Sequence, residues 1–232
     1  MHRLGVIIPS SNTTVETEFS GALYNTDIAV HYARIPLREV TVEQLQAMDA
    51  SVSVAASQLK DADVDAIVFA CTSGSLIGGY GYDGQIAKQI IEATGCPAVT
   101  TSGAVVRSLR KLKAHKISLA APYIDAVTDK EVSFLEQSGF KVVKACTLGI
   151  KDNVTIGRLT PKDAAILAGD VDVPEADAVF VSCTNFSTFK TLPSIDRQLG
   201  KAVVSSNSAT LWAALRTLRV EMHLGLGRLF DL

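Results

Sequence analysis

The chain repeats itself. Asp65-Ala66-Ile67-Val68-Phe69-Ala70-Cys71-Thr72 has a counterpart in Asp177-Ala178-Val179-Phe180-Val181-Ser182-Cys183-Thr184. At nearly the same spacing, Gly5–Ile8 closing on Pro9 matches Ile117–Ala121 closing on Pro122. A looser third pair sets Val99-Thr100-Thr101-Ser102-Gly103 against Val204-Ser205-Ser206-Asn207-Ser208. Three matched segments in the same order describe one half-domain duplicated within the chain. Each half must then bury an equivalent core, and equivalent strand ends must carry equivalent residues.

The repeated segments are short apolar runs. Leu4–Ile8, Ala66–Ala70, Ala98–Thr100, Ile117–Ala120, Ala178–Val181 and Ala202–Val204 read as strands buried on both faces. Between them Val42–Lys60, Gly84–Thr94, Gly103–Leu112, Thr128–Ser138, Pro161–Gly169 and Ala209–Val220 carry helical spacing. Strands alternating with helices give βαβ units and parallel sheets, so the fold class is α/β. Chain order places residues 98–200 in one half and residues 1–97, with 201–232 returning, in the other. Ligands of such sheets bind beyond the carboxyl ends of the strands.

Two of the four cysteines sit at those ends. Cys71 and Cys183 occupy matched positions, each followed by Thr and a polar turn, whereas Cys96 and Cys146 have no counterpart. A cysteine is by default a small buried apolar residue, and Cys96 and Cys146 are left to that role. The duplication argues otherwise for the matched pair, because facing halves would put one thiol on each side of a ligand. A thiolate is a nucleophile and a base, and a thiol is a proton donor. Strand ends that open into helices are expected to lower the thiol pKa. Acid–base work by two thiols on opposite faces calls for no metal and no cofactor.

The surroundings suit a carboxylate. Ser10-Ser11-Asn12-Thr13-Thr14, Thr72-Ser73-Gly74-Ser75 and Thr184-Asn185 offer neutral donors that can hold a carboxylate or the enediolate formed from it. Ser10, Ser11 and Thr13 equally suit helix capping. Asn12 is favoured for function because the repeat sets Asp125 at its mirror position. Gly78-Gly79-Tyr80-Gly81-Tyr82-Asp83-Gly84 is glycine-rich but matches neither a dinucleotide fingerprint nor a P-loop, and reads as a loop over the cleft or a plain surface turn.

A net charge of −2 leaves no basic field for nucleic acid or an anionic membrane. The apolar runs are too short to span a bilayer. Met1-His2-Arg3 leads straight into a strand-like run rather than a signal peptide, so a cytoplasmic location is expected.

Gly5-Val6-Ile7-Ile8-Pro9-Ser10-Ser11-Asn12-Thr13-Thr14-Val15-Glu16, Ala70-Cys71-Thr72-Ser73, Pro122-Tyr123, Asp152-Asn153 and Ser182-Cys183-Thr184-Asn185 together resemble the maleate cis-trans isomerases and arylmalonate decarboxylases of the aspartate/glutamate racemase superfamily. The resemblance spans most of the chain. It implies two pseudo-symmetric, Rossmann-like half-domains, each a four-stranded parallel sheet flanked by helices, with the active site between them. It implies that Cys71 adds to an alkene as nucleophile, and that Cys183 gives a proton and takes it back. It implies that Asn12, Asn153 and Tyr123 bind substrate carboxylates, and that Thr72 and Ser73 join Tyr123 in holding an enediolate. A homo-oligomer is also implied. Decarboxylases of this kind carry glycine at the position of Cys71, so the two thiols favour isomerisation.

The sequence thus points to a cofactor-independent isomerase of a small carboxylate or dicarboxylate. Cys71 and Cys183 are the catalytic candidates. Ser10, Asn12, Thr72, Ser73, Tyr123, Asn153, Thr184 and Asn185 are the binding candidates. The alternatives, in order, are an amino-acid racemase, an arylmalonate-type decarboxylase and a non-catalytic binder of small acids.

Overall fold

Each apolar run of the repeat becomes a strand, inner in its sheet for the first two matched pairs and at a sheet edge for the third. A computed structural model describes all 232 residues, Met1–Leu232. The first stretch contains β1 (His2–Pro9), α1 (Thr14–Ala22), β2 (Ile28–Ile35), α2 (Val42–Ala47), α3 (Asp49–Asp61), β3 (Ala66–Phe69), α4 (Thr72–Leu76), α5 (Tyr82–Thr94), β4 (Ala98–Thr100) and α6 (Thr101–Lys111). The second contains β5 (Lys116–Ala121), α7 (Asp125–Gln137), β6 (Lys141–Thr147), α8 (Asn153–Gly157), α9 (Pro161–Val171), β7 (Ala178–Val181), α10 (Leu192–Leu199), β8 (Ala202–Ser205) and α11 (Ser206–Thr217). A 3-10 turn, Arg228–Asp231, ends the chain.

The strands form two four-stranded parallel sheets of the same order, β2-β1-β3-β4 and β6-β5-β7-β8. The repeated acids explain part of the likeness. Asp65 accepts the Arg3 amide at 2.8 Å, and Asp177 accepts the His115 and Lys116 amides, each at 2.8 Å. Each carboxylate thereby ties the approach to an inner strand to the start of its neighbour. β3 and β7 are buried along their whole length, as strands covered on both faces must be.

Sheet membership corrects the boundaries expected from chain order. Ala98–Thr100 pairs with β3 in the first sheet, and Ala202–Ser205 pairs with β7 in the second. The terminal segment docks on the second half too: Leu226, Leu229 and Phe230 are buried, and the Arg228 amide donates to Asp196 of α10. α11 reaches across, packing on α6 and touching β3 and β4, and β8 touches α6 as well. The expected single helix over 42–60 is two helices that meet at Met48, whose side chain is buried beside Gly74. Gly79 and Gly81, both at positive φ, make the glycine-rich segment a tight connection from α4 to α5. No helix is long and apolar enough to cross a membrane.

Candidate active site

β3 and β7 end one residue before Ala70 and Ser182, and the thiols of Cys71 and Cys183 follow at once. The two are only 4 % and 5 % exposed. Each sulfur accepts a backbone amide of its own turn, Gly74 N at 3.3 Å for Cys71 and Asn185 N at 3.3 Å for Cys183. Gly74 has to be glycine, since a Cβ there would lie 2.9 Å from the Cys71 sulfur. The backbones then diverge. Cys71 is extended, whereas Cys183 holds φ +96, a conformation that costs a residue with a Cβ and persists only where surrounding bonds enforce it.

Burial corrects the expectation of low-pKa thiols. Desolvation pushes Cys71 up to about 11, opposed by the Gly74 amide and the Ser73 hydroxyl. It pushes Cys183 up to about 12, opposed by the Tyr123 hydroxyl and the Asn185 amide. The charge of Cys71 raises Cys183 further, so the two sulfurs lie within each other's field. With these shifts both thiols hold their protons at neutral pH.

Hydroxyls and amides knit the halves together around them. The Thr72 hydroxyl donates to Ser206 at 2.8 Å, and Ser206 also accepts the Cys183 amide at 3.0 Å. Thr184 donates to the Ala70 carbonyl and accepts from Asn12 Nδ2, both at 3.1 Å. Asn12 Oδ1 accepts the Thr14 and Val15 amides, so this side chain caps α1 and still presents its amide to the site. Asn153, at the start of α8, donates to the Ser11 hydroxyl at 2.8 Å.

Three sequence-derived expectations change. Ser10 is exposed and its hydroxyl bonds Leu37, so it braces a loop outside the cluster. Asn185 accepts the Thr13 and Thr14 amides and donates to the Asn153 carbonyl, which makes it a tie between halves with one N–H left for a ligand. Asp125, the supposed mirror of Asn12, is exposed at the start of α7. Asn12, Thr72, Ser73, Tyr123, Asn153 and Thr184 are all buried and gathered with the thiols.

Sequence reasoning missed Ser206, Ser182 and Glu131. Ser206 lay in the third repeat, beside the capping box that Ser205 and Ser208 make for α11. Ser182 donates toward the Tyr123 hydroxyl at 3.3 Å and lies 2.6 Å from Glu131, which is 1 % exposed. Desolvation pushes Glu131 up to about 8. Tyr123 is also pushed up, by burial and by the charges of Cys183 and Glu131.

A sequence profile described as arylmalonate decarboxylase matches residues 4–230. The chain belongs to the arylmalonate decarboxylase family. Within reach of it is the maleate isomerase of Pseudomonas putida, 33 % identical over 95 % of this chain and 93 % of that one. The maleate isomerase of Pseudomonas putida S16, solved as a variant with maleate, superposes with a TM-score of 0.95 at 27 % identity, over 99 % of this chain and 97 % of the other. A Cys-to-Ser mutant of the Nocardia farcinica maleate cis-trans isomerase, solved with a covalently bound succinylcysteine intermediate, also gives 0.95, at 28 % identity and over 99 % and 98 % of the two chains. A protein of this shape has thus been solved with a succinylcysteine intermediate.

Proposed function

We propose that this chain is a cofactor-independent cis-trans isomerase of a small dicarboxylate, with maleate as the substrate to try first. The observation that carries the reading is the pair of buried thiols at matched strand ends, one from each half, inside a shell of neutral donors. The succinylcysteine of the Nocardia farcinica relative supplies the chemistry such a pair can perform.

In this reading the Cys71 sulfur, as thiolate, adds to one alkene carbon, and a C–S bond forms. The π pair moves to the neighbouring carbon and its carboxylate as an enediolate. Cys183 gives its S–H proton to that carbon and is left as a thiolate facing the Tyr123 hydroxyl and the Asn185 amide. The former double bond is now single and rotates. Cys183 then takes a proton back, the π bond re-forms and the Cys71 thiolate leaves. Asn12 and Asn153 each keep one free amide N–H for the two carboxylates, Thr72 and Thr184 shape the pocket with their hydroxyl protons held by Ser206 and Ala70, and Ser73 and Tyr123 face the two sulfurs; none of these residues adds charge. Ionised thiol at pH 7 is scarce for a group titrating at about 11, on the order of one part in ten thousand. The Gly74 amide and Ser73 hydroxyl are therefore assigned to stabilising the attacking Cys71 thiolate.

Proton NMR of the purified protein with maleate tests this directly. Fumarate should form, Cys71→Ser and Cys183→Ser should each abolish it, and Cys183→Ser should retain one maleate-sized adduct on Cys71. Loss of carbon dioxide from an arylmalonate, or deuterium wash-in at the α-carbon of aspartate with no fumarate from maleate, would replace the reading with decarboxylation or racemisation.

A further inference from the structure

Glu131 breaks the pattern of its helix. Along α7 the buried positions are Val127, Thr128, Glu131, Phe134 and Leu135, so an acid stands where the spacing calls for an apolar side chain. No cation pairs with it. One oxygen meets the Ser182 hydroxyl at 2.6 Å, and the other, Oε2, is buried with no hydrogen-bond partner. A carboxyl group so poorly solvated keeps its proton, and its raised pKa agrees.

The protonation state fixes the direction of a chain of hydrogen bonds. The Ser182 hydroxyl has one proton and two neighbours, Glu131 at 2.6 Å and the Tyr123 hydroxyl at 3.3 Å. The Tyr123 hydroxyl in turn stands near enough to the Cys183 sulfur to oppose the rise of that thiol's pKa. If Glu131 donates to Ser182, then Ser182 donates to Tyr123, and the Tyr123 proton is free to point at sulfur. If Glu131 is ionised it claims the Ser182 proton. Ser182 then accepts from Tyr123, and Cys183 loses its donor.

We propose that Glu131, through Ser182, is a positioning residue that aims the Tyr123 hydroxyl at Cys183 and so stabilises the thiolate left when Cys183 gives up its proton. This deepens the isomerase reading and rests on it for the role of Cys183. The titratable groups that reach Glu131 are Tyr123 and Cys183. The other ionisable residues of α7, namely Asp125, Asp129, Lys130 and Glu136, are exposed. α4, packed on α7, has none. On β6, Thr147 turns toward α7 while Lys144 reaches Asp170 of α9, and Cys146 shares the parity of Lys144.

A titration that needs no turnover decides the matter. Cys183 is left as the sole thiol by C71S, C96S and C146S, and the ultraviolet absorbance of its thiolate is followed against pH. Glu131→Gln keeps a donor toward Ser182 and cannot ionise, so it should lower the Cys183 pKa by about one unit. Repeating the comparison in Ser182→Ala should recover less than half of that shift, because the link is gone. An equal shift with and without Ser182 would mean that charge alone acts, and no shift would mean that Glu131 does not address Cys183. Either result overturns the proposal. In turnover, Ser182→Ala should lower kcat about tenfold at unchanged KM, with Glu131→Gln close to the parent at neutral pH. A matching loss in Glu131→Gln counts against the relay. If maleate is not turned over at all, the isomerase reading falls, and the thiol titration still decides the relay.

Discussion

The Thr72 hydroxyl donates to the Ser206 hydroxyl at 2.8 Å, joining the turn that carries Cys71 to the helix beside Cys183. Ser206 also receives the Cys183 amide, and that bond helps to hold Cys183 at its positive φ. Ser206→Ala leaves a buried N–H and a buried hydroxyl without partners. The expected cost is about 1–3 kcal/mol in unfolding free energy. It should come with a fall in kcat of about tenfold, because the Cys183 sulfur loses its placement. Denaturant unfolding and maleate turnover measure the two. Full kcat in a destabilised variant would show that Ser206 only supports the fold.

The thiols provide a second prediction. Both are pushed above the ordinary cysteine value by burial, Cys71 to about 11 and Cys183 to about 12. Alkylation by iodoacetamide needs the thiolate, so its rate should climb about tenfold per pH unit from neutral pH upward, with no plateau below about pH 9. A plateau near neutral pH would reveal a low-pKa thiol and require a cation or open conformation that the closed site does not contain.

Glu131 links the site to stability. Its carboxyl stands at about 8 in the folded chain against an ordinary value of 4.5. Below pH 4.5 both folded and unfolded states hold the proton, and the stability tied to this group is fully present. Between 4.5 and 8 the unfolded chain releases the proton while the folded one keeps it, so stability falls as pH rises. Glutamine does not titrate. The unfolding free energy of Glu131→Gln relative to the parent should therefore improve by a few kcal/mol from about pH 5 to about pH 8. Parallel curves would show an ionised Glu131 in the folded protein.

Much of this architecture is legible before any coordinates. The six apolar runs are the inner strands β1, β3, β5 and β7 together with β4 and β8, and the repeat places both thiols. The strands that escape are β2 and β6, one at the edge of each sheet. Tyr32, Arg34, Lys141 and Lys144 interrupt their apolar runs, because an edge strand is half-solvated and need not read as buried. The short helices α4 and α8 escape for a related reason: five residues carry no helical period. Repeat logic also misleads at Asp125, where a matched position lies on the exposed start of a helix. Duplicated backbones keep strand ends better than they keep loops. Glu131 did leave a signal, an acid on the apolar stripe of α7.

The mouth of the site yields the last prediction. The segment after β2 and the segment before α8 meet like two short strands. Val40 N donates to the Lys151 carbonyl at 2.7 Å, Asn153 N donates to the Arg38 carbonyl at 3.0 Å, and Glu39 bridges Asp152 in antiparallel fashion. An ion pair, Lys151 to Glu39 at 3.1 Å, lies outside them, with both side chains about half exposed. A dicarboxylate that enters beside Asn153 requires these segments to part. Local opening then governs exchange of the Val40 and Asn153 amides, while the Val68 amide in the centre of the first sheet waits for global unfolding. Hydrogen exchange should therefore be far faster at Val40 and Asn153 than at Val68, and saturating fumarate should slow the first two selectively. Lys151→Ala should change KM by less than about twofold, since an exposed ion pair contributes little. Removing the Asn153 side chain, which donates to Ser11 from inside the mouth, should raise KM about tenfold. Exchange at Val40 as slow as at Val68 would mean that the segments do not open on their own, and entry would have to follow another route.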